Sequence, residues 1–279
     1  MKLVLDVGGT SIRGAIYENE KAIKELHANS REVALASFIE NIIKENSAIK
    51  TISIAYAGQV RDGVILSAPN IEVDKHEIKN YFETKFGVKL FIENDLNAAI
   101  LAEAKEHTCH DICAVYVGTG LGLGVISGNR LIRGARSVAT ELGHIPYKKA
   151  PFLCGCGRDN CIELFASGSA LEKWQKHYSL ENLDLEILKS SNQPHAKELY
   201  EEFLKALLFA LGTVITVFNP KVLVLGGGVI ENNPFLYEII LEKIANYALG
   251  ASLVDLQIVQ TNIKNAPLLG AYLLKDENE

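Results

Sequence analysis

Four side chains in one stretch of eighteen residues carry the plainest chemistry in this sequence: His144, Cys154, Cys156 and Cys161. Zinc is normally held by four ligands in a tetrahedron, and three thiolates with one imidazole form a common structural set. From Arg133 to Cys161 no helical or strand period is visible, and a loop of that length needs a scaffold of its own. The competing reading is a reduced loop whose cysteines fall together by chance. Four protein ligands leave no open coordination position, so zinc here would organise the loop rather than activate water. Such a staple would hold Glu141, just before His144, near Glu163, just after Cys161.

A second chemistry is written in glycines. Asp6-Val7-Gly8-Gly9-Thr10 places a carboxylate at the end of an apolar run, beside a glycine turn. Glycines let backbone N–H groups approach phosphate oxygens closely. A carboxylate facing phosphate directly would be repelled, so the pattern implies a bridging Mg²⁺. The plainer alternative is a tight hairpin with a capping aspartate. A second copy favours the phosphate reading: Gly118-Thr119-Gly120-Leu121-Gly122-Leu123-Gly124 offers no acid and more bare backbone, which suits an anionic phosphate tail. It is not a P-loop, because no Gly-Lys-Ser/Thr follows, nor a dinucleotide fingerprint, because a strand follows instead of a helix. Gly226-Gly227-Gly228 would let a flat ring lie against the chain, although a glycine-rich loop closing a strand explains it equally well.

Glu93-Asn94-Asp95 stands where a strand pattern gives way to a helix pattern. The carboxyl end of a strand is where α/β proteins bind ligands, and a carboxylate there can accept a proton from a substrate hydroxyl. Taken alone, the residue reads as an N-cap and no more. The remaining histidines, 27, 76, 107, 110, 177 and 195, have no patterned partner, and Trp174 reads as packing.

These residues need a scaffold, and the sequence supplies strands alternating with helices, hence an α/β protein. Lys2 to Val7, Ile12 to Tyr17 and about Lys21 to His27 read as an antiparallel meander. Leu35, Phe38, Ile39, Ile42 and Ile43 mark one face of a helix. Thr51 to Tyr56 and Lys89 to Ile92 read as short strands, with a helix at Lys75 to Phe86 and another at Asp95 to His107. Further strands are expected at Ile112 to Val117 and Gly124 to Ser127, with a hairpin signal at Gly128-Asn129. Helices resume near Ile162. The strongest is Ala196 to Phe218, with Leu199, Phe203, Leu207, Ala210 and Val214 on one stripe. A buried strand at Lys221 to Leu225, a helix at Pro234 to Ala248, a strand at Leu256 to Gln260 and a helix at Pro267 to Leu274 complete the pattern.

The first hairpin recurs 110 residues later: Val7, Gly8, Gly14 and Ile16 fall on Val117, Gly118, Gly124 and Ile126. This predicts a duplicated domain, with a boundary near Cys109 to Asp111. The expected division is 1–110 and 111–265, with the C-terminal helix 266–279 packing back on the first half.

Composition bounds the rest. The 279 residues are 48% hydrophobic and 22% charged, with net charge −6, which excludes a disordered chain, a coiled coil or a collagen-like rod. No global basic field invites nucleic acid or anionic lipid. The N-terminus lacks the apolar core of a signal peptide. Ala206 to Phe218, the most apolar stretch, is too short for a bilayer span. The expectation is a cytoplasmic protein.

The duplicated glycine hairpin, the acid at a strand–helix junction and the Cys₃His loop, in this order, resemble the ROK family of bacterial sugar kinases. The resemblance runs from Asp6 to Pro267-Leu268-Leu269-Gly270-Ala271. It implies the actin-like ATPase fold, two related ribonuclease H-like lobes around a cleft. It implies that Asp6, Gly8, Gly9 and Thr10, with Gly118, Thr119, Gly120 and Gly122, bind ATP phosphates and Mg²⁺, and that Gly226, Gly227 and Gly228 face the adenosine. Asp95 would be the catalytic base. Gly58, Asn70, Asn94, Glu141, His144 and Glu163 would join Asp95 around the sugar. His144, Cys154, Cys156 and Cys161 would bind structural zinc, and the assembly would be a homodimer.

The chain departs from the family pattern at Thr140 and Asn160, where glycine is frequent, at Ala57-Gly58-Gln59 in place of Pro-Gly-Pro, and at Ile71-Glu72-Val73-Asp74, which lacks a tryptophan found in many glucokinases. These positions bear on sugar identity. The resemblance implies an ATP-dependent hexose kinase acting on the 6-hydroxyl, as a glucokinase. The alternatives are an N-acetylmannosamine or N-acetylglucosamine kinase and a non-catalytic sugar-sensing regulator. Family regulators carry an N-terminal DNA-binding domain, and this chain opens on the first strand, which disfavours that role. Cys109 and Cys113 have no assigned function.

Overall fold

The computed structural model describes residues 1–68, 71–181 and 184–275. The chain forms two compact units. One comprises Met1–Glu106, Arg133–Ala139 and Ile263–Glu279, the other His107–Ile132 and Thr140–Asn262.

In the first unit, β1 (Lys2–Val7), β2 (Ile12–Glu18), β3 (Lys21–Ala28), β4 (Thr51–Tyr56) and β7 (Lys89–Asn94) form a sheet in the order β3-β2-β1-β4-β7. The β1–β2 and β2–β3 pairs are antiparallel, while β1, β4 and β7 run parallel. Strand periodicity sends alternate side chains of β1 to opposite faces. Leu3, Leu5 and Val7 are buried with residues of α1 (Leu35–Glu45) and α2 (Ile78–Phe86). Val4 is buried with Ala55, Ala98 of α3 (Asp95–Glu106) and Ala271 of the C-terminal helix Ala266–Leu273. That second face is built from small residues. A Cβ at Gly270 would stand 1.7 Å from the Ala98 carbonyl oxygen, so only glycine permits this helix contact.

The sequence reading misses one hairpin, β5 (Gln59–Arg61) with β6 (Val64–Ser67). Its two-residue turn is Asp62-Gly63, both at positive φ (53° and 81°). Asp-Gly is a strong short-range hairpin signal. Here the flanking strands are too short to display alternation.

In the second unit, β8 (Ile112–Val117), β9 (Leu121–Ser127), β10 (Arg130–Leu131), β11 (Val222–Gly226) and β12 (Gln257–Gln260) form a sheet in the order β10-β9-β8-β11-β12. Its strand directions repeat those of the first sheet. The duplication is thus visible in topology, but the sequence offset of 110 does not hold through the hairpin. Gly14 pairs with Leu5, whereas Gly124 pairs with Ala114 and not with Val115. The first turn spans four residues between Val7 and Ile12, the second only three between Val117 and Leu121. The coincidences at Gly124 and Ile126 therefore lie one ladder position out of step.

The core of this unit gathers Cys113, Val115 and Val117 of β8 with α6 (Pro194–Phe218) and its neighbours α4 (Gly168–His177) and α5 (Leu185–Ser190). The whole expected stripe of α6, Leu199, Phe203, Leu207, Ala210 and Val214, is buried. Proline at its first turn and left-handed Asn219 before Pro220 bound this helix. Short helices α7 (Gly228–Glu231) and α8 (Phe235–Lys243) follow β11. Among the described residues no helix is long and apolar enough to cross a membrane.

The segment Arg133–Ala139 belongs to the first unit although residues on both sides belong to the second. A single division at residue 110 does not capture this excursion. Arg133 Nε donates to Glu93 Oε2 at 2.6 Å, and Gln59 Nε2 donates to the Arg136 carbonyl at 3.1 Å.

Candidate active site

In the first unit, β7 ends at Asn94 and α3 begins at Asp95. Asn94 is the residue that caps α3: its Oδ1 accepts the N–H groups of Leu96 at 3.0 Å and Asn97 at 3.2 Å. This corrects the reading of Asp95 as an N-cap and no more. Asp95 opens the helix, and its Oδ1 accepts from Asn94 Nδ2 and from Leu96 N, both at 3.0 Å. Burial, and after it the charge of Asp6, pushes the Asp95 carboxyl up to about 7, against the pull of those hydrogen bonds. A carboxylate poised near neutrality can take a proton at working pH.

Asp6, near the end of β1, is pushed up to about 6 by burial, opposed by the charge of Arg13. Arg13 stands opposite it on the ladder. Asp6 precedes the turn closed by Gly8 N–H donating to the Ser11 carbonyl at 2.9 Å, the turn that holds Gly9 and Thr10. An oxygen ligand next to exposed backbone, whose own charge raises a neighbouring carboxyl, fits Mg²⁺ bound through one carboxylate and substrate phosphates.

Asn94 also donates through Nδ2 to the Gly58 carbonyl at 3.2 Å, so it ties the Ala57-Gly58-Gln59 turn to Asp95. Gly58 has no room for a side chain, since a Cβ would stand 2.4 Å from the Ser67 carbonyl oxygen. Glu93 lies beneath this junction, its side chain 8% exposed. Its Oε1 accepts Asn94 N at 2.9 Å and Asn97 Nδ2 at 3.0 Å, and its Oε2 accepts Arg133. Asn70 lies outside the described residues.

In the second unit the glycine turn is shorter than the sequence suggests. Gly118 N–H donates to the Gly120 carbonyl at 3.0 Å, and β9 begins at Leu121. Gly122 consequently sits inside the strand, opposite Tyr116, and not in the turn. Gly118 and Thr119 line a groove of about 770 Å³ with Gly228, Ser169, Glu172 and Asn232. The structure thus brings Gly118 and Thr119 of the second glycine turn and Gly228 of the triple glycine to one cavity, whereas Gly120, Gly226 and Gly227 do not line it. Gly226 ends β11. Gly227 adopts φ +88° with its backbone against Val117, which excludes a side chain, and Gly228 opens α7.

His144, Cys154, Cys156 and Cys161 offer ligand atoms that all lie within 4.8 Å of one another. Cys156 Sγ is 3.3 Å from Cys161 Sγ, and Cys154 Sγ is 3.5 Å from His144 Nδ1. A tetrahedral zinc with sulfur at ~2.3 Å sets edges of about 3.8 Å, so the four donors fit that ion. An isolated bridge between Pro146 and Cys161 and the bond from Cys154 N–H to the Arg158 carbonyl at 2.8 Å hold the loop around them. With Nδ1 of His144 directed at the thiols, its Nε2 faces Glu141 Oε2 at 3.9 Å. Burial raises the Glu141 carboxyl, with the Glu163 charge adding to it and His144 opposing. Glu141, His144 and Glu163 are therefore neighbours.

Two kinds of residue escape the sequence reading. Arg133, at the head of a patternless segment, gives no local hint of Glu93 forty residues earlier. Ser167 does carry a signal, a serine before a helical pattern. Its Oγ caps α4 through Ala170 N–H at 3.1 Å, and the start of that helix lines the groove.

Comparison with known proteins places these arrangements in context. The model of the ROK family matches residues 2–278. A glucokinase of Streptomyces coelicolor is 28% identical, covering 98% of this chain and 96% of that protein. An N-acetyl-D-glucosamine kinase of Photobacterium profundum is 31% identical over 89% of this chain and 90% of that one. The solved structure of a ROK family glucokinase from Streptomyces griseus, in complex with glucose and AMPPNP, superposes with a TM-score of 0.75 at 26% identity, covering 97% of both chains.

Proposed function

The chain belongs to the ROK family, and from that premise we propose that it is an ATP-dependent sugar kinase that phosphorylates the 6-hydroxyl of glucose. The observation that carries the reading is Asp95, a carboxyl at the start of α3 pushed up to about 7 beside Asp6. Relatives that are glucokinases, and a glucokinase fold solved with glucose and AMPPNP, support it.

Phosphoryl transfer needs positioning and charge neutralisation more than covalent chemistry. Asp95 would accept the proton of the attacking hydroxyl, held in place by Asn94 and Leu96 N–H. Asn94, Gly58, Glu141, His144 and Glu163, together with Asn70, would hold the other hydroxyls. Gly118, Thr119 and Gly120 would receive the phosphates, and Gly226 to Gly228 the adenosine; of these, Gly118, Thr119 and Gly228 line the groove. Asp6 would hold Mg²⁺ beside Gly8, Gly9 and Thr10, and the ion when bound supplies positive charge to the transferring phosphate. His144, Cys154, Cys156 and Cys161 would hold zinc, whose role is to fix the loop that presents Glu141 and Glu163.

The second reading is an N-acetylglucosamine or N-acetylmannosamine kinase, and the relative at 31% identity favours the first of these two. A coupled assay of ADP release over glucose, mannose, fructose and the two N-acetyl sugars separates them. Highest kcat/KM on glucose is expected. Preference for an N-acetyl sugar would move the assignment to the second reading. Sugar binding with no turnover on any of the five would overturn the kinase and leave a sensor.

A further inference from the structure

Glu163 occupies a position that contact with a sugar hydroxyl does not account for. Its Oε2 accepts the N–H of Leu121, the first residue after the turn Gly118-Thr119-Gly120, at 3.0 Å. The surrounding backbone is shaped to its carboxylate. A Cβ at Gly120 would stand 2.6 Å from Glu163 Oε2, and one at Gly143 would stand 3.1 Å from the same atom.

The main chain of Glu163 reaches the same turn by a second route. Its carbonyl accepts Ser167 Oγ at 2.8 Å, and Ser167 caps α4. The first two N–H groups of that helix hold the turn's own carbonyls: Gly168 N donates to Gly118 O at 2.7 Å and Ser169 N to Thr119 O at 3.2 Å. In a trans peptide the N–H lies opposite the C=O. Drawing back the Gly118 and Thr119 carbonyls therefore turns the Thr119 and Gly120 N–H groups the other way, as an anion requires.

We propose that Glu163 is a positioning residue for the second phosphate turn, clamping its exit through Leu121 N–H and its carbonyl side through Ser167 and α4, so that nucleotide affinity depends on this residue before any sugar is present. The proposal rests on the kinase reading of the site. It adds that this side chain links the turn to the Cys₃His cluster, because Glu163 Oε1 lies 3.6 Å from Cys154 Sγ while Oε2 is held by the turn.

The test measures binding of AMPPNP with Mg²⁺ by calorimetry in the absence of sugar, on full-length wild type, Glu163→Ala, Glu163→Gln, Gly120→Ala and the double variant Gly120→Ala with Glu163→Ala. Loss of one hydrogen bond to a charged group should weaken nucleotide affinity about tenfold in Glu163→Ala. Glu163→Gln keeps an acceptor oxygen for Leu121 N–H and should stay within about threefold of wild type. Gly120→Ala should weaken binding in the wild-type background but lose most of that effect once Glu163 is truncated, a non-additivity expected only of groups in contact. Sugar affinity measured on the same proteins separates the roles. Wild-type nucleotide affinity in Glu163→Ala with weakened sugar binding would overturn the proposal and leave a sugar residue alone. If Glu163→Ala fails to fold, unchanged nucleotide affinity in Gly120→Ala has the same force. A wild type that binds no nucleotide would sink the kinase reading itself.

Discussion

Asp95→Asn should abolish turnover and yet make the protein more stable, by an amount that grows with pH. The carboxyl sits at the first turn of α3 and is pushed from 3.8 up to about 7, chiefly by burial and then by the charge of Asp6. The sign follows from linkage. Between those two values the folded state retains a proton that the unfolded state has released. The stability contributed by the group is therefore complete below pH ~4 and is lost as pH rises through about 7. Three pKa units correspond to a ceiling of ~4 kcal/mol, of which about 2.6 accrues between pH 5 and 8. Screening at a carboxyl that is only partly sequestered from water brings the expected gain of the variant between those pH values to ~1–2 kcal/mol. Asparagine is nearly isosteric and retains an acceptor for Leu96 N–H, so the fold should be preserved. Thermal and urea melts of both proteins without ligands at pH 5 and pH 8 read the effect directly. A gain of ~1 kcal/mol corresponds to about 2–4 °C for a chain somewhat smaller than this one. An advantage no larger at pH 8 than at pH 5 would refute the electrostatic reasoning. More than ~1% residual turnover would refute the role of Asp95 as base, since general-base catalysis contributes about 10²–10⁴-fold.

Two further outcomes follow from the same geometry. Arg133→Ala leaves Glu93, whose side chain is 8% exposed, without its cation, while Arg133 itself is 37% exposed. Because that partner is partly solvated, the expected loss in urea unfolding is ~1–3 kcal/mol and not the ~3–5 of a fully buried pair, with kcat falling more than sugar KM. A loss below ~0.5 kcal/mol with unchanged kcat would show that the pair does not position the junction. Freshly purified, reduced protein should contain about one zinc per chain by elemental analysis. Its removal by a chelator should lower the melting temperature reversibly, and protein free of zinc at full stability would refute the staple.

Long periodic elements were readable because a single buried face repeats along them. The stripe of α6 from Leu199 to Val214 reached the core as the pattern requires. The Cys₃His set was readable because its ligands are close in sequence as well as in space. What escaped either joins residues far apart in the chain, as Arg133 and Glu93 do, or turns on local detail that residue types alone do not specify. The hairpin at Asp62-Gly63 was present as a dipeptide signal, but strands of three and four residues carry too little pattern to confirm it. Gly122 looked like turn backbone because glycine spacing does not reveal where a hairpin closes, and the bond from Gly118 N–H to Gly120 O closes it two residues earlier. The Asn94 cap was hidden for a different reason. Asn and Asp are nearly equal as caps, so adjacent candidates can be separated only by which oxygen meets Leu96 and Asn97.

The two hairpins share a topology but differ at the one position that decides their chemistry. Where β1 carries Asp6, the equivalent residue of β8 is Tyr116, whose ring packs against Gly226. The first turn therefore has a carboxylate in its own strand, suited to a cation between acid and phosphate. The second turn has no acid at that position. The second turn instead draws its carboxylate from Glu163, on the far side of the cysteine loop, and that carboxylate is engaged by a backbone N–H at 3.0 Å. A negative charge held in this way secures the turn through its backbone. The turns also differ in length, four residues after Val7 and three after Val117, each closed by a backbone hydrogen bond. The two hairpins thus share strand order and direction and differ by one residue in turn length and by the acid at Asp6, and the proposed division of cation and phosphate between them rests on those two differences.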